Sequence, residues 1–308
     1  NIIIIPDGIL NYIPFEILIS SLPYDDRLEY RTLSYLIKKY TISYSYSATL
    51  LYNNIYKKEK APQNLIAFAP EYNNKNFTYD SISFLLKPLP GAINEINDIS
   101  KIIKTNMFLK DKATETQFKQ NVVNYDIIHL AMHTIINNEN PLYSKLVFYS
   151  PDDNKEDGFL NTYEIFNLKL NARLAVLSAC NTGYGKLSNG EGVMSLARSF
   201  MYAGCPNIVM TLWQIEDKSS SEIMANFYKN LKQGMPTAKA LREAKLEHLK
   251  NANQLRAHPY FWSAYISIGN NYILKTNTYK NLLIITAISI IILLTVTYII
   301  KNLYKRKF

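Results

Sequence analysis

The sequence predicts an α/β domain built on a mainly parallel sheet, followed by one apolar segment of membrane-spanning length. Three observations lead there. Apolar runs of strand length recur through residues 1–269, amphipathic stretches with helix end-signals separate several of them, and residues 282–300 carry no charge. Strands that are apolar throughout are those buried on both faces, as in a parallel sheet covered by helices on each side.

The strand-type runs fall at 2–5, 65–68, 127–132, 146–149, 174–177, 208–212 and 265–268. Between them, Pro90 and Gly91 precede a helical pattern over 92–103. Thr114 and Gln117 have the spacing of a capping box, in which the hydroxyl serves an otherwise unpaired amide of the first turn. A helical pattern over 191–202 stops at Gly204, a residue that takes the left-handed C-cap conformation without strain. Asp217 can cap a helix over 220–232 that ends at Gly234, and Pro236 suits the start of another running to Leu249. No short-period repeat is visible.

Residues 270–280 read as a polar linker, 281–300 as a transmembrane helix and 301–308 as a basic tail. The uncharged run over 282–300 would span roughly 28 Å as a helix, close to the hydrocarbon thickness of a bilayer. More basic residues follow it than closely precede it, so the positive-inside rule predicts a cytoplasmic tail and an extracytoplasmic main domain. The net charge of +9 owes six positive residues to 275–308, where there is no acid. The remaining +3 is ordinary for a globular domain and gives no nucleic-acid signal. The chain opens at Asn1 on an apolar run, without an initiator Met or a signal-peptide pattern, which reads as a fragment of a longer protein. Two cysteines are too few for a disulfide framework or a zinc site, so no metal or cofactor is expected.

The run over 127–132 is followed by His133, and the run over 174–177 is followed closely by Cys180. Sites in open parallel sheets form at the carboxyl ends of strands. If these two strands are neighbours, a thiol and an imidazole emerge at one edge, the pairing that nucleophilic catalysis needs. Gly183, Gly185, Gly190 and Gly192 follow the cysteine, where bare backbone can approach a ligand. The same loop lacks the Walker and dinucleotide spacings. Cys205 reads as structural, His129 as a core histidine bonded to backbone, His248 as solvated on a charged helix and His258 as shaping the turn before Trp262.

Beyond these patterns, the sequence resembles the CHAT family, caspase-like domains often joined to tetratricopeptide repeats. The resemblance rests on separated motifs in order: Ile4-Ile-Pro-Asp-Gly8 with Ile13-Pro-Phe-Glu16, Ile128-His-Leu-Ala-Met-His133, Asp157-Gly-Phe-Leu160 with Glu164-Ile165, and Leu174-Ala-Val-Leu-Ser-Ala-Cys-Asn-Thr-Gly183. Glu191-Gly192, Leu196-Ala-Arg198, Leu212-Trp213 with Asp217, and His258-Pro259 with Trp262 continue it to about residue 269. It implies a caspase-like three-layer sandwich and a cysteine endopeptidase, with His133 and Cys180 as the catalytic pair and no cofactor. It also implies backbone oxyanion donors at Thr134 and Cys180, and a pocket for the residue before the cleaved bond shaped by Trp213 and Asp217. Asp217 would then favour a basic substrate side chain, unless it simply caps its helix. The implied partners are a protein or peptide substrate and a regulatory protein met through upstream repeats. One departure stands out. The family usually places Gly after the catalytic histidine, and a β-branched residue such as Thr134 resists positive φ. That departure feeds the alternative of a catalytically inactive, membrane-anchored interaction module.

Overall fold

The computed structural model describes residues 1–22, 29–55, 65–72, 76–79, 82–137, 139–150, 156–178, 180–181, 191–271, 273–274, 286 and 288–297. The chain divides into two units, Asn1–Leu274 and Lys275–Phe308. In the first unit the strands are β1 (Ile2–Ile4), β2 (Ile42–Tyr44), β3 (Leu65–Pro70), β4 (Asn76–Tyr79), β5 (Ile82–Leu85), β6 (Thr105–Lys110) and β7 (Ile127–Leu130). They continue with β8 (His133–Ile135), β9 (Lys145–Val147), β10 (Phe159–Asn161), β11 (Leu174–Leu177), β12 (Cys180–Asn181), β13 (Asn207–Thr211) and β14 (Tyr265–Gly269). The helices are α1 (Leu36–Lys39), α2 (Ala48–Ile55), α3 (Pro90–Ile102), α4 (Glu115–Asn121), α5 (Thr162–Phe166), α6 (Glu191–Tyr202), α7 (Asp217–Lys232) and α8 (Thr237–Asn251).

The main sheet runs β1-β2-β14-β13-β11-β7-β3-β6, and within it β13 and β14 pair antiparallel while the other pairings are parallel. Alternate side chains of each strand enter opposite faces. Ile128 and Leu130 of β7 and Ala175 and Leu177 of β11 pack with Phe118 of α4, Ile165 of α5 and Phe200 of α6. Ile127, Leu174 and Val176 face the other way, against Ile99 of α3, Phe227 of α7 and Leu241 of α8. Helices therefore cover both faces, in three layers, as the unbroken apolar strands predicted. A smaller sheet, β10-β9-β8-β12, continues past the ends of β7 and β11, and β4 and β5 form a separate hairpin.

Several element bounds shift for physical reasons. The run over 127–132 is two pieces: β7 ends at Leu130, and the chain steps into β8 of the small sheet at His133. Strand β6 has no counterpart among the predicted strands because it is a partly exposed edge strand of mixed polarity. Helix α3 starts at Pro90 itself, where the missing N–H costs nothing. Helix α7 starts at Asp217, three residues earlier than expected, because Glu216 is its N-cap and accepts from the Ser219 hydroxyl at 2.8 Å. Thr114 does cap α4, accepting from the Gln117 amide at 3.2 Å. Gly204 has φ +118°, and a Cβ there would lie 2.5 Å from the Leu170 carbonyl oxygen, so the turn after α6 demands glycine twice over.

In the second unit, residues 286 and 288–297 are described, as helix with exposed side chains. The rest of the predicted span, the linker from 275 and the basic tail lie outside the described residues. Among the described residues, no helix is long and apolar enough to cross a membrane.

Candidate active site

His133 opens β8, and its side chain is buried, at 4 % exposure. Its Nε2 lies 2.8 Å from the carbonyl oxygen of Lys87. A carbonyl can only accept, so Nε2 carries the proton in that bond and the neutral ring presents a bare lone pair at Nδ1. Nδ1 is buried and has no hydrogen-bond partner among the described residues. The ring packs against Tyr72, centroids 4.6 Å apart. The Tyr72 hydroxyl accepts from the His133 amide at 3.2 Å and donates to the Val147 carbonyl at 2.5 Å, tying the start of β8 to β9. Burial pulls the His133 pKa below the ordinary 6.5, while the Lys87 hydrogen bond pulls the other way. The imidazole is therefore held neutral, in one tautomer and one orientation. Neither Lys87 nor Tyr72 has a sequence signature for this role.

Strands β7 and β11 are neighbours in parallel register, Leu130 against Leu177. Strands β8 and β12 repeat that pairing in the small sheet, with Cys180 directly opposite His133 and Asn181 opposite Thr134. Adjacent strands lie about 4.8 Å apart, so the two sequence-predicted residues are brought together as register partners. Of the predicted loop glycines, Gly183, Gly185 and Gly190 lie outside the described residues, and Gly192 falls in the first turn of α6.

Thr134 is buried in the middle of β8, paired in register with Leu146 and Asn181. Positive φ among the described non-glycine residues occurs at Lys110 and Asn271. Thr134 therefore keeps extended backbone, which suits a β-branched residue, and the anticipated strain does not arise. Thr134→Gly is consequently expected to lower the stability of the domain by about 0.5–1 kcal/mol, read from the urea midpoint.

The other sequence-predicted residues sort differently. Asp217 borders a cavity of about 20 Å³ between the first turns of α3 and α7, with Ala131 and Ser178 in its wall. Trp213 is not part of that lining. Its indole N–H donates to the Tyr260 carbonyl at 3.1 Å, and the two rings stack. Cys205 is fully buried, with its sulfur 3.4 Å from the Asn207 carbonyl oxygen, as expected of a structural thiol. His258 accepts from the Tyr260 amide at 3.2 Å and caps the short turn before Trp262.

Two histidines depart from expectation. His129 is bonded to side chains rather than backbone: Nδ1 lies 3.0 Å from the Tyr228 hydroxyl and Nε2 lies 2.9 Å from Glu95 Oε1. His248 is buried rather than solvated, with Nδ1 3.2 Å from Glu222.

Glu115, Glu156 and Glu164 converge closely enough to hold a metal ion. Lys119 already stands among them, 2.8, 3.0 and 2.9 Å from the three carboxylates. Burial raises Glu115 to about 7 against the pull of Lys119. A lysine meets the charge of this cluster.

The sequence profile of the CHAT domain matches residues 1–270. Human tetratricopeptide repeat protein 28 is 23 % identical over 231 residues, which is 65 % of this chain and 9 % of that protein. The mouse protein of that name is 22 % identical over the same shares. Among solved structures, the Arg-specific cysteine proteinase gingipain R aligns at TM-score 0.48 and 11 % identity, over 76 % of this chain and 56 % of that one. The separase–securin complex of Saccharomyces cerevisiae aligns at TM-score 0.45 and 16 % identity, over 79 % of this chain and 14 % of that one. The chain thus spans a small part of the curated relatives it matches. With a profile match from the first strand of the main sheet to its last, this chain belongs to the CHAT domain family.

Proposed function

We propose that the domain is a caspase-like cysteine endopeptidase in which His133 and Cys180 form the catalytic pair. The observation that carries this reading is the register of β8 and β12, which sets Cys180 opposite a buried imidazole whose Nδ1 lacks a partner among the described residues. Nδ1 takes the thiol proton as sulfur attacks the peptide carbonyl carbon. The carbonyl oxygen becomes an oxyanion, met by the backbone N–H groups of Thr134 and Cys180. The C–N bond breaks, the departing amine takes the proton from Nδ1, and water then hydrolyses the thioester. Lys87, through its carbonyl, holds the ring during both transfers. Trp213 and Asp217 shape the side that receives the substrate residue before the cleaved bond, where the Asp217 carboxylate favours a basic group.

The uncharged run over 282–300 and its basic flank support a single-pass anchor, with the tail cytoplasmic and the peptidase domain on the opposite side. Kinship with tetratricopeptide repeat proteins supports regulation by a protein bound through upstream repeats.

A thiol-reactive peptidyl probe tests the pair. The expected result is one modified residue, Cys180, with labelling at least ten-fold slower in His133→Ala. An unlabelled Cys180, or labelling indifferent to His133, would leave a CHAT module that acts by binding alone.

A further inference from the structure

Strands β7 and β11 both leave the main sheet shortly before the residue each one delivers, and the two departures are held differently. On β7, Ala131 follows the last ladder residue, and its N–H donates to the Phe68 carbonyl of β3 at 3.0 Å. Main chain therefore anchors the strand that leads to His133. On β11, Ser178 follows the last ladder residue, Leu177, and stands two positions before Cys180. Its hydroxyl lies 2.7 Å from that of Tyr265, the first residue of β14. Because β14 runs antiparallel to β13, its first residue stands at the edge where the parallel strands end. From there the Tyr265 side chain reaches Ser178 across β13.

The Tyr265 hydroxyl is itself held. Ser220 of α7 lies 2.7 Å from it and 2.7 Å from Oε2 of Glu95 on α3. A carboxylate only accepts, so Ser220 donates to Glu95, Tyr265 donates to Ser220, and Ser178 donates to Tyr265. Each hydroxyl has one proton, and each proton is committed in the same direction. Glu95 Oε1 in turn lies 2.9 Å from Nε2 of His129, which belongs to β7, four residues before His133. The chain of contacts therefore joins the strand that leads to the histidine with the joint that leads to the cysteine. Apart from Ser178, its members are 6 % exposed or less, where a completed polar chain rigidifies the structure around it.

We propose that Ser178, held by Tyr265, is a positioning residue that fixes the joint between β11 and β12 and so keeps Cys180 opposite His133. Its consequence for catalysis rests on the peptidase reading above, but the placement of β12 does not require turnover. The first test is therefore amide hydrogen exchange in the wild-type chain, Ser178→Ala, Tyr265→Phe, the double variant and Ser178→Thr. The β12 amides should exchange about ten-fold faster in each of Ser178→Ala and Tyr265→Phe, while those of β7 and β13 keep their wild-type rates. The double variant should match the faster single one, because both substitutions remove the same bond. Ser178→Thr keeps the hydroxyl and should stay near wild type. A displaced β12 should also lower kcat by about 10–100-fold in both hydroxyl-deleted variants, with KM within about two-fold, and Ser178→Thr should restore kcat. Acceleration spread evenly over the main sheet, β12 amides unmoved in both single variants, or independent effects in the double variant would overturn the assignment. If exchange responds as expected but the wild-type chain cleaves no peptide, the positioning of β12 stands and the peptidase reading falls. Cysteine-dependent cleavage, with exchange and kcat unmoved in Ser178→Ala, does the reverse.

Discussion

Cys180→Ala is expected to reduce peptide-bond cleavage to background, and His133→Ala to lower kcat/KM by about 10²–10⁴-fold, the usual worth of a positioned general acid–base group. The two losses differ in kind. Without sulfur there is no acyl-enzyme, whereas without imidazole a thiol of ordinary pKa about 8.5 still attacks slowly as its thiolate. The residual activity of His133→Ala should therefore climb with pH toward that value, while Cys180→Ala stays flat. In the wild-type chain the acidic limb of kcat/KM should fall below the ordinary histidine pKa of 6.5, because burial favours the neutral ring. The same shift affects stability. Between the folded pKa and 6.5 the unfolded chain binds more protons at this residue, so stability falls as pH drops through that window. An acidic limb above 6.5, or one shared by His133→Ala, would remove His133 from the proton path. Cleavage undiminished in Cys180→Ala would remove the mechanism altogether.

Much of this site was legible in the sequence because apolar strand runs and the residues that follow them are local features. The runs ending near His133 and Cys180 are both buried strands, β7 and β11, and they are neighbours. What is not local stayed hidden. The group that fixes the imidazole is a backbone carbonyl, Lys87, and every residue carries one. The step from β7 into β8 falls inside an apolar run, so periodicity does not reveal that His129 and His133 belong to different sheets. The solvated reading of His248 rests on residue type alone. The residue lies on α8 with Leu241, Ala244, Lys245 and Leu249, all buried, so the helical period rather than the count of charges decided its fate. Glu95 has the opposite problem. It is an acid in an amphipathic segment, and only the packing of α3 against α7 and the sheet converts it from surface charge to the wall of a cavity.

Glu16→Ala is expected to destabilise the domain by about 3–5 kcal/mol, the cost of stranding a buried charge. Glu16 closes the Ile13-Pro-Phe-Glu16 segment, and its surroundings give it a structural role. Lys245 of α8 is 1 % exposed, and its ammonium lies 3.1 Å from Glu16 Oε1. Glu16 Oε2 accepts a short hydrogen bond from Tyr44 of β2, whose hydroxyl accepts in turn from the Phe15 amide at 2.8 Å. Burial, followed by the adjacent carboxylate, raises the Tyr44 pKa well above its ordinary value, so the hydroxyl remains a donor. Burial lowers the Lys245 pKa, and Glu16 is what opposes that shift. Removing the carboxylate leaves Lys245 either charged without a partner or neutral at a free-energy cost, and strips Tyr44 of its acceptor as well. A stability of about 5–15 kcal/mol, usual for single domains, would lose a fifth or more. Glu16→Leu combined with Lys245→Met should recover part of that loss, because the apolar pair leaves no buried charge, while Tyr44 still lacks its acceptor at a cost of about 1–3 kcal/mol. Urea unfolding of the three proteins separates these outcomes. A Glu16→Ala loss under 1 kcal/mol, or a double variant as unstable as the single one, would mean that the N-terminal segment is held to α8 by packing and not by this ion pair.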